Sequence, residues 1–232
     1  MRSKKAPPIS TLLKSKIQNP KSIQAVIFDI GKVLIDFNFD LAFEAASRCV
    51  NLPPAEIRRR LFGSGEISGT GKILDFVEFE CGRITEREFH RRVEMMLGHA
   101  LPYDAFHALW NGIFLAEIAP TIGLLEKLRR QPGITIGILS NTNVLHYEFL
   151  RRRMNVLSRL EHVYVSHEMG CRKPEPASYQ YVLKKMKVAP HQALFIDDLQ
   201  DNVAAAGALG MQTIHATHPE AVREGLMLMG LV

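Results

Sequence analysis

Four groups of polar residues stand where their types and spacing could do chemistry. Asp29 ends the apolar run Ala25-Val26-Ile27-Phe28, with Gly31 two residues later, and Ser140-Asn141-Thr142 ends the run "ITIGILS". Lys173 lies in "CRKPEP", while Asp197 and Asp198 end "ALFI", with Asn202 following in "DDLQDN". A carboxylate is a usable nucleophile toward phosphorus, because the acyl phosphate it forms is open to attack by water. Such a transfer is otherwise a matter of position and charge, so a cation, a hydroxyl, backbone N–H groups and a divalent metal are the partners it needs. Singly, each residue has a plainer use as a turn or helix cap. Four strand ends in a row, each carrying one of these groups, outweigh the separate readings.

Positioning them takes strands that finish at a common edge. "AVIFDI", "ITIGILSN", "HVYVS", "ALFIDD" and "QTIHA" are short, β-branched and apolar on both faces, as in a covered parallel sheet. Between the later ones, "TIGLLEKLRRQPG", "PEPASYQYVLKKMKV" and "LQDNVAAAGALGM" have helical patterning. The alternation predicts an α/β fold with a doubly wound, Rossmann-like parallel sheet, whose ligands bind beyond the carboxyl ends of the strands.

The first two strands are about a hundred residues apart, far beyond an ordinary crossover. Residues 38–115 repeat apolar positions at i, i+3 and i+4, which predicts an inserted all-helical cap over the site. The expected organisation is therefore a basic extension at 1–22, a core at 23–37 and 116–232, and the cap at 38–115. Trp110, Phe106 and Phe114 are expected to pack the cap interior. The Arg runs at 58–60 and 151–153 are expected on solvated helix faces.

Composition narrows the class. Nearly half of the 232 residues are apolar and the three cysteines are scattered without metal-ligand spacing, as in a reduced globular protein. The net charge of +5 traces to the first 22 residues, which hold six of the 29 Lys and Arg and no acid. With the rest of the chain close to neutral, no nucleic-acid partner is expected. No apolar run reaches membrane-spanning length and the first 20 residues lack a secretory core, so the expected location is cytoplasmic. Nothing in the sequence reads out an oligomeric state.

Together "VIFDIG", "ILSN", "RKP" and "FIDDLQDN" resemble, in order, the four motifs of the haloacid dehalogenase superfamily, and the insert resembles its helical C1 cap in "CGRITEREF" and "ALWNGIF". The longer stretches "LSNTNVLH" and "CRKPEPASYQYVL" are most similar to the branch containing α-D-glucose-1-phosphatase, with the phosphatase domain of soluble epoxide hydrolase a more distant relation. The resemblance implies an enzyme, a Mg²⁺-dependent phosphatase of a small phosphate ester. It makes Asp29 the nucleophile and Lys173 its catalytic cation, with Ser140, Asn141 and Lys173 on the phosphate. Asp29, the Gly31 carbonyl and Asp198 would hold Mg²⁺, and Asp197 and Asn202 would orient Asp198 and Lys173.

Gly31 departs from the pattern, since most phosphatases of this family carry there a second Asp that acts as general acid and base. Losing such a group costs about 10² to 10⁴ in rate. Either Lys32, Asp36 or a cap residue supplies the proton, or the leaving group needs less help, as a sugar 1-phosphate would. The glycine is shared with the glucose-1-phosphatase branch, which implies a subfamily trait. Two rival readings share the fold: a 2-haloacid dehalogenase-type hydrolase, against which "FIDD" speaks, and a catalytically weak ligand-binding member, against which Asp29, Lys173 and Asp198 speak.

Overall fold

The computed structural model describes residues 23–63 and 74–232. The basic extension at 1–22 lies outside them.

Among the described residues, five of seven strands form one parallel sheet: β1 (Ala25–Phe28), β4 (Thr135–Ser140), β5 (His162–Val165), β6 (Ala193–Asp197) and β7 (Gln212–His215), in the order β5-β4-β1-β6-β7. They are the five read from the sequence. Phe28 pairs with Ile138 on one side and Ile196 on the other, so Asp29, Ser140 and Asp197 emerge along one edge. Alternation along each strand builds two apolar layers. Val26, Phe28, Ile138 and Ile196 pack against α6 (Ala119–Arg129), α7 (Val144–Arg153) and α12 (Pro219–Leu228) through Leu125, Leu150 and Leu226. Ala25, Ile27 and Phe195 pack on the other face against α10 (Pro176–Met186) and α11 (Gln200–Ala208) through Tyr179, Val182 and Ala206. Two single-turn helices, α8 (Asn155–Ser158) and α9 (Ser166–Met169), bracket β5.

Between residues 38 and 113 the described residues form five helices: α1 (Phe39–Val50), α2 (Pro54–Phe62), α3 (Leu74–Glu80), α4 (Glu86–Leu97) and α5 (Tyr103–Asn111). Local chemistry sets their ends. The Asn38 side chain accepts the Asp40 N–H to start α1, the Thr85 hydroxyl accepts that of Glu88 to start α4, and Gly98 closes α4 in the left-handed conformation. Their inward faces share a second apolar cluster rich in rings, in which Phe106 and Trp110 are buried with Phe76 and Phe89.

Two further strands join insert to sheet. β2 (Ile35–Phe37) and β3 (Phe114–Glu117) pair antiparallel, Ile35 opposite Glu117 and Phe37 opposite Phe114. This ribbon corrects the expected place of Phe114: it lies on a strand, stacked on Phe149 at 5.8 Å, rather than on an insert helix. Arg153 lies on the exposed face of α7 as expected, and its guanidinium also donates to the Phe114 and Leu115 carbonyls, which ties α7 to β3.

Candidate active site

The polar residues at the sheet edge converge on Lys173. Its side chain is 1% exposed, and Nζ lies 2.9 Å from Asp29 Oδ1 and 2.6 Å from Asp197 Oδ2. Asp29 Oδ1 also accepts the Ile30 N–H at 2.7 Å. Asp197 Oδ1 accepts the Leu199 N–H at 2.8 Å and the Asn202 amide at 2.9 Å, so both of its oxygens are engaged within the protein. Asn202 is braced in turn, its carbonyl accepting the hydroxyl of fully buried Tyr179 at 3.0 Å. The Asn141 side chain holds the lysine backbone from both sides: its amide donates to the Lys173 carbonyl and its oxygen accepts the Lys173 N–H, each at 2.8 Å.

Charge in this cluster is unbalanced. Carboxylate oxygens of Asp29, Asp197 and Asp198 all lie within 4.8 Å of one another, against a single ammonium. Burial and the nearby Asp29 and Asp197 push the Asp198 carboxyl up to about 7. Burial raises Asp29 as well, opposed chiefly by Lys173. For Lys173, burial alone would favour the neutral amine, but Asp197 and Asp29 outweigh it and keep the ammonium. Crowded oxygen donors with surplus negative charge suit a hard divalent cation, which relieves the repulsion that burial imposes. The residues therefore fit Mg²⁺, with Asp29 and Asp198 as the carboxylates not consumed by bracing.

The candidate site residues named from the sequence lie at this edge. Asp29, Lys173, Asp197, Asp198 and Asn202 form one cluster, Asn141 is bound to its lysine, and Gly31, Ser140 and Asn141 line the adjoining pocket. Lys32 and Asp36 bond each other at 2.5 Å, and Lys32 also donates to the Phe37 carbonyl at 2.7 Å. The hydrogen bond from Lys32 holds the Asp36 carboxyl below the usual range, which makes Asp36 a poor proton donor.

Sequence reading missed Tyr179, Phe37 and a buried ion pair between Arg172 and Glu80 at 3.4 Å, which joins the lysine loop to α3. The pattern of α10 shows Tyr179 only as an apolar position. Nothing local pairs Glu80 with Arg172.

A family model described as haloacid dehalogenase-like hydrolase matches residues 23–210. The chain belongs to this family. Among relatives of this hydrolase, D-ribitol-5-phosphate phosphatase of Bacteroides thetaiotaomicron is 25% identical over 213 residues, 89% of this chain and 98% of that protein. Phosphatase MT3486 of Mycobacterium tuberculosis is 30% identical over 207 residues, 89% of this chain and 93% of its own. A crystal structure of the family enzyme BT-2542 from B. thetaiotaomicron, in complex with magnesium and inorganic phosphate, superposes with a TM-score of 0.68 at 26% identity, covering 82% of this chain and 92% of that one. The chain is thus an enzyme of the hydrolase class whose relatives are phosphatases, built on the α/β fold expected from its sequence. No helix among the described residues is long and apolar enough to cross a membrane.

Proposed function

We propose that this hydrolase is a Mg²⁺-dependent phosphatase that cleaves a small phosphorylated metabolite through an aspartyl phosphate on Asp29. The observation that carries the reading is the placement of Asp29: its Oδ1 takes the Ile30 N–H and the Lys173 ammonium, which leaves Oδ2 to meet phosphorus. Asp29 Oδ2 bonds to phosphorus as the ester P–O bond breaks, and the leaving oxygen departs with that electron pair as an alkoxide that takes its proton from solvent. Water then attacks the same phosphorus and the P–O bond to Asp29 breaks, which restores the carboxylate and releases inorganic phosphate, with the water's proton passing to phosphate or solvent. Lys173 neutralises charge on the phosphoryl oxygens and fixes the attacking carboxylate. The Ser140 hydroxyl and the N–H of Asn141 are the donors for the remaining oxygens. Mg²⁺ bound by Asp29, Asp198 and the Gly31 carbonyl would supply the rest of the charge neutralisation and orient the phosphate. Residues 38–115 act as the cap that covers the leaving group.

The activities of the phosphatase relatives and the magnesium and phosphate in the BT-2542 complex support this reading. The test is phosphate release from p-nitrophenyl phosphate, with acid quenching and mass analysis of the peptide carrying Asp29. Wild type should turn over with Mg²⁺, stop in chelator and carry one phosphoryl group on that peptide. Asp29→Asn should do neither, and full turnover by that variant would refute the mechanism.

A further inference from the structure

The wall beside Gly31 bears on what leaves. A Cβ built on Gly31 would lie 2.8 Å from Cε1 of Phe37, so an aromatic ring stands where a side chain at this position would go. The Phe37 ring packs edge-on against Phe39 at 5.8 Å, and Phe39 packs edge-on against Phe76 at 6.2 Å. These three rings line a pocket of about 70 Å³ together with Gly31, Ser140 and Asn141. The pocket therefore touches the residues assigned to phosphate and runs from them toward the insert.

Apart from Ser140, which is assigned to phosphate, its polar side chains are engaged within the protein. Both ends of the Asn141 amide hold the Lys173 backbone, and Nε2 of His146 faces the Trp110 carbonyl at 2.9 Å while Nδ1 faces the Asn143 amide at 3.1 Å. The N–H of Thr142 is taken by the Ser166 hydroxyl, and the Glu80 carboxylate faces Arg172. A sugar or polyol placed here would bury hydroxyls against rings with few partners, which is unfavourable. The volume is also far below the roughly 300 Å³ at which drug-sized ligands begin to fit. The space along these rings suits a single ring.

We propose that this pocket receives the leaving group and that the leaving group is a single aromatic ring, so that the substrates are aryl phosphate monoesters. The inference rests on the phosphatase reading and deepens it. The missing acid at Gly31 and the apolar wall converge on this class. When Asp29 Oδ2 bonds to phosphorus and the P–O(aryl) bond breaks, the electron pair leaves on a phenolate that is stable without a protein proton donor, and solvent protonates it afterwards. The place of a general acid is taken by a ring that holds a leaving group able to go without one.

The experiment separates binding from reactivity, using the full chain with Mg²⁺. Phenylphosphonate and methylphosphonate carry the same anionic head and are not cleaved by the P–O step. As competitive inhibitors they should differ about tenfold to a hundredfold in favour of the phenyl compound, the worth of burying one ring. Phe39→Ala should shrink that ratio severalfold, and if the variant fails to fold the wild-type ratio still decides. In turnover, phenyl phosphate should exceed both cyclohexyl phosphate, which is apolar with a poor leaving group, and glucose 1-phosphate, which is polar. Equal inhibition by the two phosphonates, or a larger kcat/KM for glucose 1-phosphate, would overturn the aryl assignment and leave the phosphatase standing. No Mg²⁺-dependent phosphate release from any of the esters would overturn the phosphatase reading itself.

Discussion

Lys173→Met tests the electrostatic centre directly. The ammonium is almost wholly buried and lies within hydrogen-bond reach of two carboxylates, at 2.9 Å and 2.6 Å. Removing it leaves Asp29 and Asp197 facing each other in the interior, and breaking a buried ion pair in this way costs about 3 to 5 kcal/mol. For a chain of this size that is a fall in Tm of about 6 to 20 °C. The loss should depend on pH with a defined sign. Burial already raises Asp29, Lys173 is its chief opposing influence, and the variant therefore raises Asp29 further. A carboxyl whose folded pKa exceeds its unfolded value makes the folded state bind more protons, so stability falls as pH climbs from the ordinary carboxylate value to the raised one. Urea unfolding in chelator should accordingly show a larger Lys173→Met penalty at pH 8 than at pH 5. In an Asp197→Asn background the penalty should shrink by about 1 to 3 kcal/mol, because one of the stranded carboxylates is gone. A penalty below about 1 kcal/mol at pH 8 would refute the buried-charge reasoning.

Gly31→Asp should not yield a faster enzyme. The new Cβ meets the Phe37 ring at 2.8 Å, so thermal unfolding should show a loss of about 1 to 3 kcal/mol, partly recovered by adding Phe37→Ala. Gly82→Ala should be worse: Gly82 has φ +66° and a Cβ there would sit 2.2 Å from the His167 carbonyl oxygen, a backbone atom that cannot swing aside. Differential scanning calorimetry should place its Tm well below that of Ala substitution at exposed Gly123, where nothing lies within 4 Å of the added carbon.

Legibility followed the range of the signal. The strands were readable because each is a compact apolar run closed by a polar residue, and Asp29, Ser140 and Asp197 mark those closures. Lys173 could be placed at the same rim by its order in the chain. The β2–β3 ribbon was not readable, since its strands are three and four residues long and find each other across the whole insert. Phe37 over Gly31 was hidden for a related reason: the ring turns back onto a residue six positions earlier only because the ribbon sets its direction. Arg172 with Glu80, and Tyr179 with Asn202, are likewise products of packing between elements distant in sequence.

The ribbon also bears on how such a molecule can change over evolutionary time. Because Ile35 faces Glu117 and Phe37 faces Phe114, the chain leaves the sheet and returns to it at adjacent points, whatever lies between. The ends are already closed, and for a closed loop each doubling of length costs only about 0.6 kcal/mol. Helices can then be lengthened, replaced or reordered in the excursion without pulling on Asp29, a few residues upstream of the junction. The strand that carries Asp29 and the excursion thereby meet at one closed junction, with packing contacts such as Arg172 to Glu80 as further ties between them. Selection can rewrite one while the other is held constant.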